Sequence, residues 1–425
     1  MKQRFILLWV VCICYLPLNA QDISYTKKII DTLCSQSMHG RGYVNNGDRI
    51  AAGFIRDEFK NDSLKFFTDY FQSFKLTVGT LPGKVDVSID KNKMIPGMDY
   101  LVSAGSPSTK GNYRILKIDS QMVSSESALK KLIATNFSEK FLLLDRKGIK
   151  GKKILDIFDA IEYTNALKAK GIIIIEDKLI WEAADALNIS TAAKITVKRS
   201  SFHNGAKKIA VNIEQQTQID HEFSNVIGYV KGKTKPDSFV VFTAHYDHLG
   251  QMGANTYFPG ANDNASGISM ILNLAKYYTL NKPNYSVVFM AFTGEELGLK
   301  GSDYYVHHAL FPLTSIRFLI NLDLVGTGEE GIKVVNGTIL EKEFKMLSKI
   351  NDDKKYLPSV NKRGEAAISD HYPFYAKGVK TFYIYTLGGI SEYHNIYDKA
   401  STLPLTKYSE LFKLLTDFVS SLNTN

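Results

Sequence analysis

Six side chains of metal-binding or proton-moving type, His245, Asp263, Glu295, Glu296, Asp323 and His394, stand at or just past the ends of apolar runs. The runs include VVFTAHYDHLG, SVVFMAFTGEELG, RFLINLDLVG and YHNIYDK. Gathered at one place, the acids would repel one another and resist ionising unless cations lay between them. Two divalent ions bring four positive charges, and Asp263, Glu296 and Asp323 with one hydroxide bring four negative ones, so the assembly is neutral. Neutral His245 and His394 add coordination without altering that sum. A metal pair roughly 3.5–4 Å apart suits hydrolysis of an unactivated amide, because it polarises the carbonyl and activates water at once. Such a pair needs a shared ligand, and Asp263 is the choice.

Asp263 lies in PGANDNASGISMILNLAKYY, where Pro259 and Gly260 read as a turn and the residues from Ala265 onward as a helix with an apolar stripe. His245 and Asp247 form an H-x-D pair that two-residue alternation puts on one side of a strand. Asp247 is then expected to fix the tautomer of His245. Glu295 and Glu296 are neighbours and point apart, so one can bind metal while the other faces water as a general base. Taken singly, each feature has an ordinary explanation: a hydrogen-bonded histidine, or an acidic pair opening a helix. Asp323 in an apolar strand is harder to dismiss, since a buried Asp needs a partner. Several such side chains at successive strand ends point to the carboxyl edge of an open α/β sheet.

With these residues in place, AHYDHLG, PGANDNASG, FTGEELGLKGS, NLDLVG, SDHYPF and YHNIYDK resemble, in order and spacing, the co-catalytic zinc aminopeptidases, family twenty-eight of the metallopeptidases. The resemblance implies two Zn²⁺ per chain. His245 and Asp323 would hold one, Glu296 and His394 the other, and Asp263 would bridge them. It implies Glu295 as the catalytic base, Asp247 as the residue orienting His245, and Tyr393 as a group steadying the oxyanion. Relatives that cyclise N-terminal glutamine carry tryptophan where this chain has Tyr393, and receptor-like relatives lack ligands that are all present here. Ser369, Asp370 and His371 are expected to anchor a loop near the site, and His248 is expected to be structural. Neither a G-x-S-x-G elbow nor an H-E-x-x-H motif occurs.

The expected fold is α/β: a mainly parallel mixed sheet with helices on both faces, as in zinc exopeptidases, plus a smaller inserted α/β domain. The opening MKQRFILLWVVCICYLPLNAQD reads as a cleavable signal peptide over residues 1–20, implying a secreted or periplasmic protein without integral membrane association. Residues 21–94 read as an N-terminal segment packing on the peptidase domain, with helices in KKIIDTL and DRIAAGFIRDEF and a strand in FQSFKLTV. Residues 95–206 resemble a protease-associated domain, with strands in EKFLLLDRKG, GIIIIED and AAKITVKR and a helix through YTNALKAKG. Residues 207–425 read as the zinc peptidase domain, where KIAVNIEQ and SNVIGYVKG read as a hairpin or edge pair and YSELFKLLTDFVSSL as the closing helix.

Removing the leader takes the formal net charge from +9 to +7, and the lysines are dispersed without an aromatic-interleaved basic block, so nucleic acid is not an expected partner. Only Cys34 remains, which rules out an internal disulfide in the mature chain. The expected activity is that of a zinc exopeptidase, an aminopeptidase acting on peptides. A carboxypeptidase or dipeptidase, a glutaminyl cyclase and a noncatalytic binding protein are the alternatives on the same fold. Oligomeric state and side-chain preference are not readable from the sequence.

Overall fold

A computed structural model describes residues 22–185 and 189–422. The expected signal peptide lies outside the described residues. Among those described, no helix is long and apolar enough to cross a membrane.

The chain builds two large sheets. The first has nine strands in the order Val360–Lys362, Gly331–Val335, Thr381–Leu387, Ile316–Leu322, Lys235–His245, Tyr285–Phe292, Gln216–Val230, Phe71–Thr80, Ala184–Asp185. Its middle is parallel: Lys235–His245 pairs in parallel with both Tyr285–Phe292 and Ile316–Leu322, and the latter with Thr381–Leu387. Toward one side, Gln216–Val230 and Phe71–Thr80 pair antiparallel. The parallel strands are near-continuous apolar runs because both faces are covered. Val240, Phe242 and Ala244 face a core shared with the helices Ile23–Leu33, Ser266–Leu280 and Tyr408–Leu422. Phe239 and Val241 face the opposite core, which includes Tyr305 of helix Lys300–His307 and Phe374 of helix His371–Ala376.

The second sheet has eight strands in the order Asn92–Lys93, Val85–Ile89, Lys208–Ile213, Thr109–Ile118, Lys140–Leu144, Gly171–Glu176, Ala193–Lys198, Tyr100–Val102. It extends past the expected bounds of 95 and 206 at both ends. The expected hairpin between KIAVNIEQ and SNVIGYVKG does not form. Lys208–Ile213 instead pairs antiparallel with Val85–Ile89 and Thr109–Ile118, while Gln216–Val230 joins the first sheet. Burial explains the choice: Ile209, Val211 and Ile213 alternate into the apolar core of the second sheet. The expected helix through YTNALKAKG is displaced as well. Helix Lys152–Thr164 ends at the second residue of that stretch, because Asn165 takes the left-handed conformation and caps Ala169 with its side chain.

Candidate metal centre

All the singled-out acids and histidines meet at the carboxyl edge of the parallel strands. His245 is the last residue of its strand, Asp323 follows Leu322 directly, Glu295 and Glu296 come just after Phe292, and His394 sits on the loop after Leu387. Asp263 comes from the turn that opens helix Ser266–Leu280. Gly267 lets that helix begin close to the strand end, since a Cβ there would stand 2.4 Å from the Leu322 carbonyl oxygen and 2.3 Å from Asn264 Oδ1. Gly260, at φ 59°, makes the turn into the loop.

Asp263 faces two ways. Its Oδ1 lies 3.3 Å from His245 Nε2, and its Oδ2 lies 3.1 Å from His394 Nε2. Asp323 Oδ1 is 3.3 Å from His245 Nε2, and Glu296 Oε2 is 3.2 Å from His394 Nε2. Donor atoms sharing one tetrahedral ion at metal–ligand distances of 2.0–2.1 Å are separated by about 3.3 Å. His245, Asp263 and Asp323 form one group of metal-binding spacing, and His248, Asp263 and Glu296 form another, so Asp263 is common to both.

Each outer carboxylate is held by its other oxygen. Ser369 Oγ donates to Asp323 Oδ2 at 2.9 Å, and Asn321 Nδ2 in turn donates to Ser369 Oγ at 2.8 Å. His248 Nδ1 is 2.7 Å from Glu296 Oε1, so this buried histidine, expected to be structural, touches a proposed ligand. Asp370 accepts Ser302 Oγ, which pins the Ser369–His371 loop to helix Lys300–His307. The nearest acceptor for His245 Nδ1 is the backbone carbonyl of Asp247 at 3.1 Å; the Asp247 carboxylate is 3.8 Å away. That corrects the atom expected to fix the tautomer. The carboxylate instead accepts the backbone N–H groups of Glu295 and Glu296 at 3.2 and 3.4 Å and the hydroxyl of Tyr43 at 3.1 Å.

The electrostatics fit a cage built for cations. Burial alone would raise Asp263, but the imidazoles on its two oxygens hold it well below the ordinary carboxylate range. Burial and the neighbouring Asp263 would also raise Glu296, yet His394 and His248 hold it at about 2. His394 is pushed up to about 11 against the effect of its own burial, chiefly by Glu296 and Asp263. Glu295 behaves oppositely: burial, reinforced by Glu296 and Asp323 against the pull of His245, drives it well above the usual glutamate range. It shares this direction with Asp247, which burial pushes up to about 7.

Tyr393 lies flat on the His394 ring, with centroids 3.8 Å apart, and remains 45% exposed. Two supporting residues escaped the sequence reading. Arg41, fully buried, donates to the carbonyls of Leu33, Tyr246, Pro259, Gly260 and Asp263, bracing the His245 and Asp263 loops together. Asp398, also fully buried, accepts the backbone N–H groups of Asn262 and Asp263. Asp398 stands inside YHNIYDK, quoted above, but nothing in that string separates a candidate ligand from the residue that supports it.

Fold and site together define a metallopeptidase-like α/β domain. Residues 225–419 match the model of Peptidase family M28. It is 34% identical over 165 residues to aminopeptidase YwaD of Bacillus subtilis, covering 36% of this chain and 34% of that protein. The first three curated relatives are covered over only 23%, 26% and 34% of their length. Among solved structures, BSAP, a zinc aminopeptidase from Bacillus subtilis, superposes with TM-score 0.69 at 20% identity over 96% of this chain and 95% of that one. A peptidase M28 precursor from Shewanella amazonensis gives TM-score 0.69 at 17% identity over 95% of this chain and 94% of its own. Both likenesses show that the fold extends across the second sheet as well as the first.

Proposed function

We propose that the protein is a zinc-dependent aminopeptidase that removes N-terminal residues from peptides outside the cytoplasm. The observation that carries this reading is Asp263, with one carboxylate oxygen toward His245 and the other toward His394. His245 and Asp323 would hold one ion, Glu296 and His394 a second, and Asp263 would bridge the two. When bound, a zinc pair polarises the scissile carbonyl and acidifies water at neutral pH.

The chain's own residues supply the proton handling and the positioning. Glu295, whose pocket favours its protonated form, takes a proton from the attacking water and returns it to the leaving amine. Asp247 holds the turn that carries Glu295 and Glu296 through their backbone N–H groups, so base and ligand are oriented together. Tyr393, stacked on His394 and open to solvent, offers a hydroxyl to the tetrahedral oxyanion. The second sheet, inserted between strands Phe71–Thr80 and Gln216–Val230, serves as a protease-associated-like wall beside the site.

The test is chelation followed by zinc restoration, with leucine p-nitroanilide, its N-acetyl derivative, a C-terminally free dipeptide series and a glutaminyl peptide as substrates. The expected result is zinc-restored release of N-terminal residues, abolished by N-acetylation. Equal turnover of the acetylated substrate, release of C-terminal residues alone, or cyclisation alone would contradict it.

A further inference from the structure

We infer that the protein carries a subsite for a substrate carboxylate, formed where the second sheet meets the His394 loop, with Lys178 and Lys198 as its cations. The inference rests on the peptidase reading and names the class of peptide it favours.

A half-open cavity of ≈ 460 Å³ lies between residues 177–180 and Lys198 on one side and residues 391–397, which include Tyr393, on the other. It adjoins the metal centre directly. Trp181, which follows the 177–180 loop, donates its backbone N–H to the carbonyl of His394 at 2.9 Å. That loop is held in turn, since the Trp181 ring stacks on Phe258 at 4.5 Å and its Nε1–H donates to the Val102 carbonyl at 2.6 Å. The wall is therefore a braced surface fixed to the loop that bears a proposed ligand.

Its composition is unusual for an exposed surface. Met98 is 46% exposed, Ile180 50%, Tyr393 45% and Tyr397 40%, and all four line this one cavity. Clustered exposed apolar side chains beside a catalytic centre mark a place where a ligand covers them.

The charges point to the same occupant. Gly171–Glu176 and Ala193–Lys198 are adjacent parallel strands paired through Glu176 and Lys198, so Lys198, the last residue of its strand, and Lys178, just past Glu176, both arise at the carboxyl ends of parallel strands. In open α/β sheets this is the edge at which ligands bind. Neither lysine forms an ion pair among the described residues. Of the acids sharing the cavity, Asp177 is paired with Arg199, whose Nε donates at 2.7 Å, and Glu392 is tied to Asn395, whose Nδ2 donates at 2.7 Å within the same cavity wall. The cavity thus has apolar walls and two lysines that form no ion pair with either acid. A peptide whose N-terminal residue sits at the metal centre carries its remaining residues outward past Tyr393. Its carboxylate, from a free C-terminus or an acidic side chain, is the complement the lysines lack.

The experiment uses the zinc-loaded full-length protein and compares kcat/KM for Leu-Gly-Gly with its C-terminal amide. It also compares Leu-Glu-Gly-amide with Leu-Gln-Gly-amide, and takes leucine p-nitroanilide as a substrate too short to reach the lysines. Wild type is expected to favour at least one carboxylate-bearing member by about tenfold, the scale of a half-buried charge-assisted hydrogen bond. The pair that shows the preference identifies its source. Lys178→Met/Lys198→Met should bring the ratio to about one, chiefly through KM, and leave the anilide rate within about twofold, while Lys178→Arg/Lys198→Arg should retain the preference. A wild type active on the anilide but indifferent to both pairs would overturn the subsite alone, as would a double Met variant that keeps the ratio or loses anilide activity equally. A wild type inactive on every substrate would overturn the peptidase reading and the subsite with it.

Discussion

The carboxylate of Asp398 accepts the backbone N–H of Asp263 at 3.0 Å, so one buried acid sets the position of another across 135 residues of chain. The same carboxylate takes the N–H of Asn262 at 2.9 Å. Loss of such a support for a ligand typically weakens metal affinity by about 10–100-fold. Asp398→Ala is expected to shed metal in that range, measured by competition with a chelator, whereas Asp398→Asn, which keeps an acceptor oxygen, should lose less. Equal metal affinity in wild type and Asp398→Ala would contradict this role.

Arg41 supports the same loop from the other side. Five donors in a rigid fork match five backbone carbonyls, and a lysine has three donors around one point. Arg41→Lys should therefore leave buried carbonyls unpaired and cost about 3 kcal/mol or more. The measurement is the shift of the denaturant midpoint for the metal-free protein, which separates this packing role from metal binding.

Much of the centre could be read before folding, and for a physical reason. The proposed ligands carry particular atoms, so His245, Asp263, Glu296, Asp323 and His394 could be singled out by type at or just past the ends of apolar runs. Arg41, Asp398 and Tyr43 act through hydrogen bonds that many residue types can make, and only proximity in the folded chain reveals them. The same limit explains Lys208–Ile213, whose alternating pattern suits either sheet. It joins the second because its partners Val85–Ile89 and Thr109–Ile118 lie there, and pairing at a distance leaves no local mark.

His371 supplies a pH dependence that is independent of the metal ligands. Burial pushes its imidazole from 6.5 down to about 4. Between these values the unfolded chain binds a proton that the folded chain refuses. The stability it contributes is thus complete above pH 6.5 and is lost as the pH falls toward 4. By pH 5 the loss from this residue should reach about 2 kcal/mol. Urea denaturation of wild type and His371→Gln at pH 7 and pH 5 checks it: the stability difference between them should move in the variant's favour on acidification, and a difference independent of pH would contradict it.

Glu295→Gln removes the proton carrier and keeps the shape. Turnover of leucine p-nitroanilide should fall by about 10²–10⁴-fold, the usual contribution of a positioned general base, with bound zinc unchanged. Near-normal turnover would show that another group moves the proton.

The most direct test of the centre itself is anomalous diffraction at the zinc edge from crystals of the zinc-loaded protein. Two peaks are predicted. One should lie among His245, Asp323 and Asp263 Oδ1, the other among His394, Glu296 and Asp263 Oδ2. A single peak, or any arrangement in which Asp263 touches fewer than two ions, would contradict the bridged pair.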